Sequence, residues 1–122
     1  MPKEYIDSDS PYASVEIVAG ASNTEIVSYT AKNGSRPFLL SFRNAVGAGG
    51  EAYIYFTLLM NGIPMKDFDR IQNQIAAPEN QQGQFVIRRE LPQGCTLKVV
   101  ASNTDSSNYN ATAKLEIAYE SL

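Results

Sequence analysis

Histidine and tryptophan are absent from this chain, and cysteine occurs once, as Cys95. Each absence excludes a chemistry. Without histidine there is no imidazole to serve as general base or metal ligand, so a Ser-His-Asp triad is impossible. One cysteine cannot close an intrachain disulfide, so packing or neighbouring chains must hold the fold. The turn Pro92-Gln93-Gly94 before Cys95 gives no sign of a helix N-terminus that would activate the thiol, and Cys95 reads as structural. The opening Met1-Pro2-Lys3-Glu4-Tyr5-Ile6-Asp7 lacks the apolar stretch of about 7–15 residues that a secretion signal needs. The longest apolar run, Ala52 to Met60, is interrupted by Thr57 and has the length of a strand. A helix crossing a bilayer needs about 20 residues. No membrane association is expected. Lys and Arg number 10 against 13 acids, for a net charge of −3. They cluster only at Arg88-Arg89, so nucleic acid is not an expected partner either.

What remains is a chain of 122 residues, 43% hydrophobic and 19% charged. That is enough for one core and too short for two. Residues 1–12 are polar, carry Pro2 and Pro11, and show neither helical nor strand periodicity; they read as an N-terminal arm preceding a domain over 13–122. Such an arm is either a disordered terminus or an extended segment that docks on a neighbouring subunit, with Tyr5, Ile6 and Tyr12 as its apolar anchors.

From Ala13 onward short β-rich runs alternate with turn residues. Strands are predicted at 13–19, 25–31, 38–45, 52–60, 84–90, 96–102 and 111–119. The fold class that follows is all-β, an antiparallel β-sandwich of jelly-roll type with about seven to eight strands. Asn33-Gly34 and Asn61-Gly62 suit turns with positive φ, and Gly47-Ala48-Gly49-Gly50 is too flexible for a ladder. The last strand alternates cleanly, with Ala113, Leu115, Ile117 and Tyr119 on one face and Thr112, Lys114, Glu116 and Glu120 on the other. The run Tyr53–Met60 does not: Ile54, Phe56, Leu58 and Met60 share one parity, yet Tyr53, Tyr55 and Leu59 occupy the other. Either a loop roofs this strand or a subunit interface covers it, with Tyr53, Tyr55 and Leu59 as contact residues. Farther on, Phe68, Ile71 and Ile75 fall at helical spacing, so Asp67 to Ile75 forms a short helix or a loop pinned by those side chains.

Catalytic and ligand-binding patterns are weak. Asp67 and Asp69, with Glu51 or Glu79, offer carboxylates to a hard cation, but the spacing is not that of an EF-hand, and Lys66 and Arg70 flank them as in a solvated charged loop. The glycine stretch at 47–50 lacks the Lys and Ser/Thr of a phosphate loop. Carbohydrate binding, should it occur, would use Tyr29, Tyr53, Tyr55 or Tyr109. No cofactor is expected and no enzyme activity.

The stretch Leu91-Pro92-Gln93-Gly94-Cys95-Thr96-Leu97-Lys98-Val99-Val100-Ala101-Ser102-Asn103, followed by Ala111-Thr112-Ala113-Lys114-Leu115-Glu116-Ile117-Ala118-Tyr119, resembles the closing strands of small jelly-roll proteins of tailed-phage virions. These include trimeric capsid decoration (cement) proteins and fibre-head domains. The resemblance covers roughly the last third of the chain and implies a homotrimeric virion component. Its partners would be the major capsid protein or another virion protein. Two functions follow as expectations: a structural protein decorating a phage head, or a receptor- or glycan-binding head domain of a tail fibre.

Overall fold

A computed structural model describes residues 5–72 and 83–122. Nine strands follow in order: β1 (Asp7–Asp9), β2 (Tyr12–Ile17), β3 (Thr24–Thr30), β4 (Ser35–Val46), β5 (Ile54–Met60), β6 (Ile63–Pro64), β7 (Gly83–Glu90), β8 (Thr96–Asn103) and β9 (Tyr109–Ser121). A 3₁₀ turn at Lys66–Phe68 is the helical content among the described residues. One antiparallel sheet runs β1-β9-β4-β7 with β2 also on β9, and the other runs β3-β8-β5-β6. Setting β1 aside, β2-β9-β4-β7 facing β3-β8-β5-β6 is the strand order of a jelly roll: nearly every connection carries the chain from one sheet to the other.

Alternation builds the core. Ala113, Leu115, Ile117 and Tyr119 of β9 and Leu97, Val99 and Ala101 of β8 are buried on the inner faces, one sheet against the other. Four phenylalanines meet at the centre, where aromatic rings add edge-to-face contact to plain burial. The Phe42 ring lies 5.8 Å from Phe85, 6.2 Å from Phe68 and 6.4 Å from Phe56. Phe68 comes from the 3₁₀ turn, and as far as residue 72 the segment after β6 continues as a loop pinned by Phe68 and Ile71. Ile75 and Glu79, the other residues singled out in that region, lie outside the described residues. Asn61 and Gly62, with φ of 52° and 82°, form the two-residue hairpin turn that pairs Met60 with Ile63. Positive φ at both positions matches the right-handed twist of the flanking strands.

All seven expected strands are present, with shifted ends. The strand expected from Ala52 starts at Ile54, because the Gly50 carbonyl accepts the N–H groups of both Tyr53 and Ile54 and closes a turn there. Residues 5–12 differ more from expectation. They contain β1 and the start of β2, both antiparallel to β9. The 13 residues of β9 have one side bonded to β4, and the other side is shared by β1 and β2. Pro11, which has no N–H to give a ladder, stands at the break between them. Pairing makes these residues strands. Their side chains do not alternate enough to announce it.

Candidate functional site

The six residues read from sequence as contact residues fall in three places. Tyr5, Ile6 and Tyr12 are on the outer face of the five-stranded sheet. The Ile6 N–H donates to the Tyr119 carbonyl at 2.8 Å, and the Tyr5 ring lies 6.3 Å from Phe38 of β4. Beside Tyr5 and Ile6 runs a groove of about 450 Å³, lined also by Leu40, Ile117 and Ala118 and by the polar Asp7, Ser8, Asp9, Ser10 and Glu116. Tyr12 borders a second hollow of about 340 Å³ with Ser10, Arg43, Thr112 and Lys114. Ion pairs flank this face: Arg36 is bidentate to Glu90, at 3.0 and 3.3 Å, and Arg43 lies 3.6 Å from Glu116. The two-pronged Arg36 contact fixes orientation as well as charge.

A polar chain clamps β1 in place. The Lys32 N–H donates to the Tyr119 hydroxyl at 3.1 Å, the Tyr119 hydroxyl meets that of Tyr29, and the Tyr29 hydroxyl donates to Asp9 at 2.5 Å. The Lys32 ammonium adds contacts to Asp7 at 3.0 Å and Asp9 at 3.4 Å. Burial first, and then the bonds to Asp9 and Tyr119, push the Tyr29 phenol above its ordinary range. The Lys32 hydrogen bond holds the Asp7 carboxyl below the usual carboxylate value.

Tyr55 and Leu59 are on the outer face of the other sheet. The Arg70 guanidinium sits 4.9 Å from the Tyr55 ring centre, within cation–π range. Thr57 Oγ1 accepts the Arg70 N–H at 3.0 Å while donating to Asp69 at 3.4 Å. Ile71 then pairs with Phe56 along the strand edge. The chain's own segment therefore covers β5 at Tyr55 and Thr57, which accounts for that part of the two-sided pattern, whereas Tyr53 and Leu59 lie beyond these contacts.

Tyr53 lies in the turn before β5, at one end of the sandwich. Its ring stacks on Tyr109, with centroids 6.2 Å apart and planes 8° from parallel. The Tyr109 hydroxyl donates to Asp105 at 2.5 Å, a bond that lowers the Asp105 carboxyl and raises the Tyr109 phenol. Behind the ring is Gly50, where a Cβ would come within 2.7 Å of Tyr109 Cγ. Of the four tyrosines read as sugar platforms, Tyr53 and Tyr109 are thus brought together. Tyr29 is tied into the clamp and Tyr55 lies under Arg70.

Sequence reasoning missed Phe38, Leu40 and the clamp. Three successive apolar residues, Phe38-Leu39-Leu40, in one strand already require an outward-facing one. The clamp joins residues from Asp7 to Tyr119 and left no local signal. Among the described residues, no three of His, Cys, Asp and Glu gather as a metal site would require. Cys95 is buried, and burial pushes its thiol up, away from reactivity.

No family model and no curated protein matches this chain. Solved structures do. A chain of the cyanophage Pam1 capsid asymmetric unit superposes with a TM-score of 0.51 at 10% identity, over 97% of this chain and 90% of that one. A family 35 carbohydrate-binding module from Clostridium thermocellum gives 0.48 at 16% identity, over 94% of each chain. The likeness to the capsid chain is one of fold. This chain is an antiparallel β-sandwich of jelly-roll type, an architecture that hosts many functions and fixes none.

Proposed function

We propose that this chain is a non-enzymatic virion structural protein: a decoration or cement protein that stabilises a phage head through oligomeric contacts. The observation that carries this is the outer face of the five-stranded sheet. In a monomeric sandwich that face is polar. Here Tyr5, Ile6, Leu40 and Ala118 line a groove, Phe38 lies against Tyr5, and Ile6 is 62% exposed, while Tyr12, 61% exposed, borders the neighbouring hollow. Exposed apolar side chains interleaved with Asp7, Asp9 and Glu116, acids that already have partners in Lys32 and Arg43, suit the mixed apolar and polar surface of a non-obligate interface. Further copies of this chain are its occupant, and the particle surface beneath them is the major capsid protein or another virion protein. The jelly-roll likeness to a capsid chain, extending over 97% of the sequence, supports the virion setting. The trimer number rests on the resemblance of the closing strands to those of trimeric phage proteins. A receptor- or glycan-binding head domain is the second reading, and the Tyr53–Tyr109 pair favours it.

Sedimentation of the purified protein tests the assembly reading. A trimer at micromolar concentration, or a complex on mixing with undecorated phage capsids, is the expected result. A monomer that binds no virion component refutes it.

A further inference from the structure

We infer that the Tyr53–Tyr109 end of the sandwich is a binding site for a neutral saccharide. This rests on the second reading above and does not depend on the assembly reading.

The argument begins with rigidity. Asn103, buried at the end of β8, donates its amide to the Ile17 carbonyl at 3.1 Å and the Ser107 carbonyl at 2.7 Å, and its Oδ1 accepts the Asp105 N–H at 2.9 Å. One side chain thereby braces the β8–β9 loop against the end of β2. Thr104 donates both its N–H and its hydroxyl to the Tyr53 carbonyl, at 3.0 and 3.1 Å, and the Ala19 N–H donates to Asn108 Oδ1 at 2.8 Å. The loops after β2, β4 and β8 are therefore fixed to one another before any ligand arrives, and a ligand would not have to order them.

On this braced end the aromatic pair is held flat. Tyr109 is fixed by Gly50 behind it and by Asp105 at its hydroxyl, and it supports Tyr53, which remains 39% exposed. An immobilised, partly exposed aromatic face presents negative π density to the weakly positive C–H groups on one side of a sugar ring. Around it stand sugar-compatible polar groups. Ser106 and Asn108 are exposed, and the Asn108 amide nitrogen is a donor of two protons.

Charge selects among saccharides. The loops at 18–23, 47–53 and 104–108 contain no Lys or Arg, and their ionisable groups besides Tyr53 are Glu51 and Asp105. The Asp105 carboxyl stays ionised because Tyr109 lowers it. An acidic sugar would meet carboxylates with no cation beside them, so the ligand is neutral.

The 122-residue protein, titrated calorimetrically with short oligosaccharides of glucose, mannose, galactose or xylose and with one of uronic acid, tests this. Saturable binding of a neutral oligosaccharide is expected, with a Kd on the order of millimolar or tighter. It should be about tenfold weaker in Tyr53→Ala and unchanged in Tyr53→Phe, with both variants melting like the parent. The same oligosaccharide should protect Tyr53 of the unaltered protein from nitration, a readout that needs no variant. Absence of binding by every neutral probe, stronger binding of the uronic acid probe, equal binding by Tyr53→Ala, or nitration indifferent to ligand overturns the inference. Sedimentation of the same samples separates the two readings: protein that assembles and binds no sugar loses this inference and keeps the other.

Discussion

The hydroxyls of Tyr29 in β3 and Tyr119 in β9 are hydrogen-bonded to each other across the two sheets. Tyr119 accepts from the Lys32 N–H, so its own proton points to Tyr29, and the Tyr29 proton points on to Asp9. Protons in the chain run one way, each bond polarising the next, and the chain ends on the carboxylate of β1. A three-residue strand is too short to hold itself, and this relay adds to the backbone pairing and the Lys32 ion pairs that hold it on β9.

Removing the middle of the relay should therefore loosen β1 while sparing the sandwich. Tyr29→Phe leaves Asp9 and the buried Tyr119 each short of a partner and should cost about 1–3 kcal/mol. Hydrogen exchange at residues 6–9 should quicken while β8 stays protected. Protection of β1 equal to that of the parent would show that the relay does not anchor it.

The same tyrosine gives the alkaline limb of stability a direction. A folded-state pKa raised above its ordinary value of about 10 means that, above that pH, the unfolded chain loses the proton and the folded chain keeps it. The contribution is complete below about pH 10 and is lost as pH rises beyond it. Tyr109, raised by Asp105, acts with the same sign. Melting temperature should fall from about pH 9 to about pH 11, and the fall should be shallower in Tyr29→Phe. An identical slope in the variant would count against this assignment.

Much of this architecture was legible in the sequence, and where it was not the reason is physical. Strands whose side chains alternate, such as β9 with Ala113, Leu115, Ile117 and Tyr119 inside, announce themselves because burial imposes a period of two. β1 does not, since Asp7-Ser8-Asp9 owe their strand conformation to backbone pairing and to Lys32 and Tyr29. The run Tyr53–Met60 carries apolar residues of both parities, but a pattern of parity cannot tell a loop from a partner. Arg70 over Tyr55 supplies the cover from a loop that follows the next hairpin. The Tyr53–Tyr109 stack joins the start of β5 to the start of β9, and no spacing rule reaches across such a gap.

Asn44 is the core's anomaly. It is 1% exposed, points inward opposite Ala113, and neither its amide nitrogen nor its oxygen has a protein partner among the described residues. Burying an amide without partners costs about 1–3 kcal/mol, so Asn44→Leu, of the same branched shape but apolar and larger, should raise stability by up to about that amount, less what its extra bulk costs. Urea unfolding reads this directly as a higher midpoint at constant slope. A destabilised Asn44→Leu would mean that the amide is satisfied in solution and that the position is not a cost.

Gly50→Ala tests how the stack is held. Its Cβ would come within 2.8 Å of Tyr109 Cδ1 and of Val46 Cγ1, so the ring must move. Overpacking of this kind costs about 1–3 kcal/mol. The Tyr53–Tyr109 contact should be disrupted, visible as changed near-UV circular dichroism with an unchanged far-UV spectrum. Retention of the parent near-UV signal would show that the glycine is not what seats Tyr109.

The outer face of the five-stranded sheet can be probed without disturbing the core, because two of its apolar side chains are largely exposed. Ile6 is 62% exposed at the edge of the groove, and Val86 of β7 is 78% exposed beside Ser41. Substitutions at such sites ordinarily change monomer stability by no more than about 0.5 kcal/mol. A charge introduced into the core of an interface must be desolvated there without a partner, and a loss of about 2 kcal/mol or more in association is the usual consequence. Ile6→Asp and Val86→Asp should each shift the oligomer towards monomer in sedimentation equilibrium while melting within a few degrees of the parent once dissociated. Ile63→Asp is the matched control: Ile63 is 70% exposed as well, but it lies at the β5–β6 hairpin of the opposite sheet. An oligomer weakened by Ile63→Asp and indifferent to the other two would move the interface to the four-stranded sheet, where Tyr55 and Leu59 lie. Association untouched by all three would remove both sheet faces from the contact and leave the loop end, with Tyr53, as the surface through which this chain meets its partner.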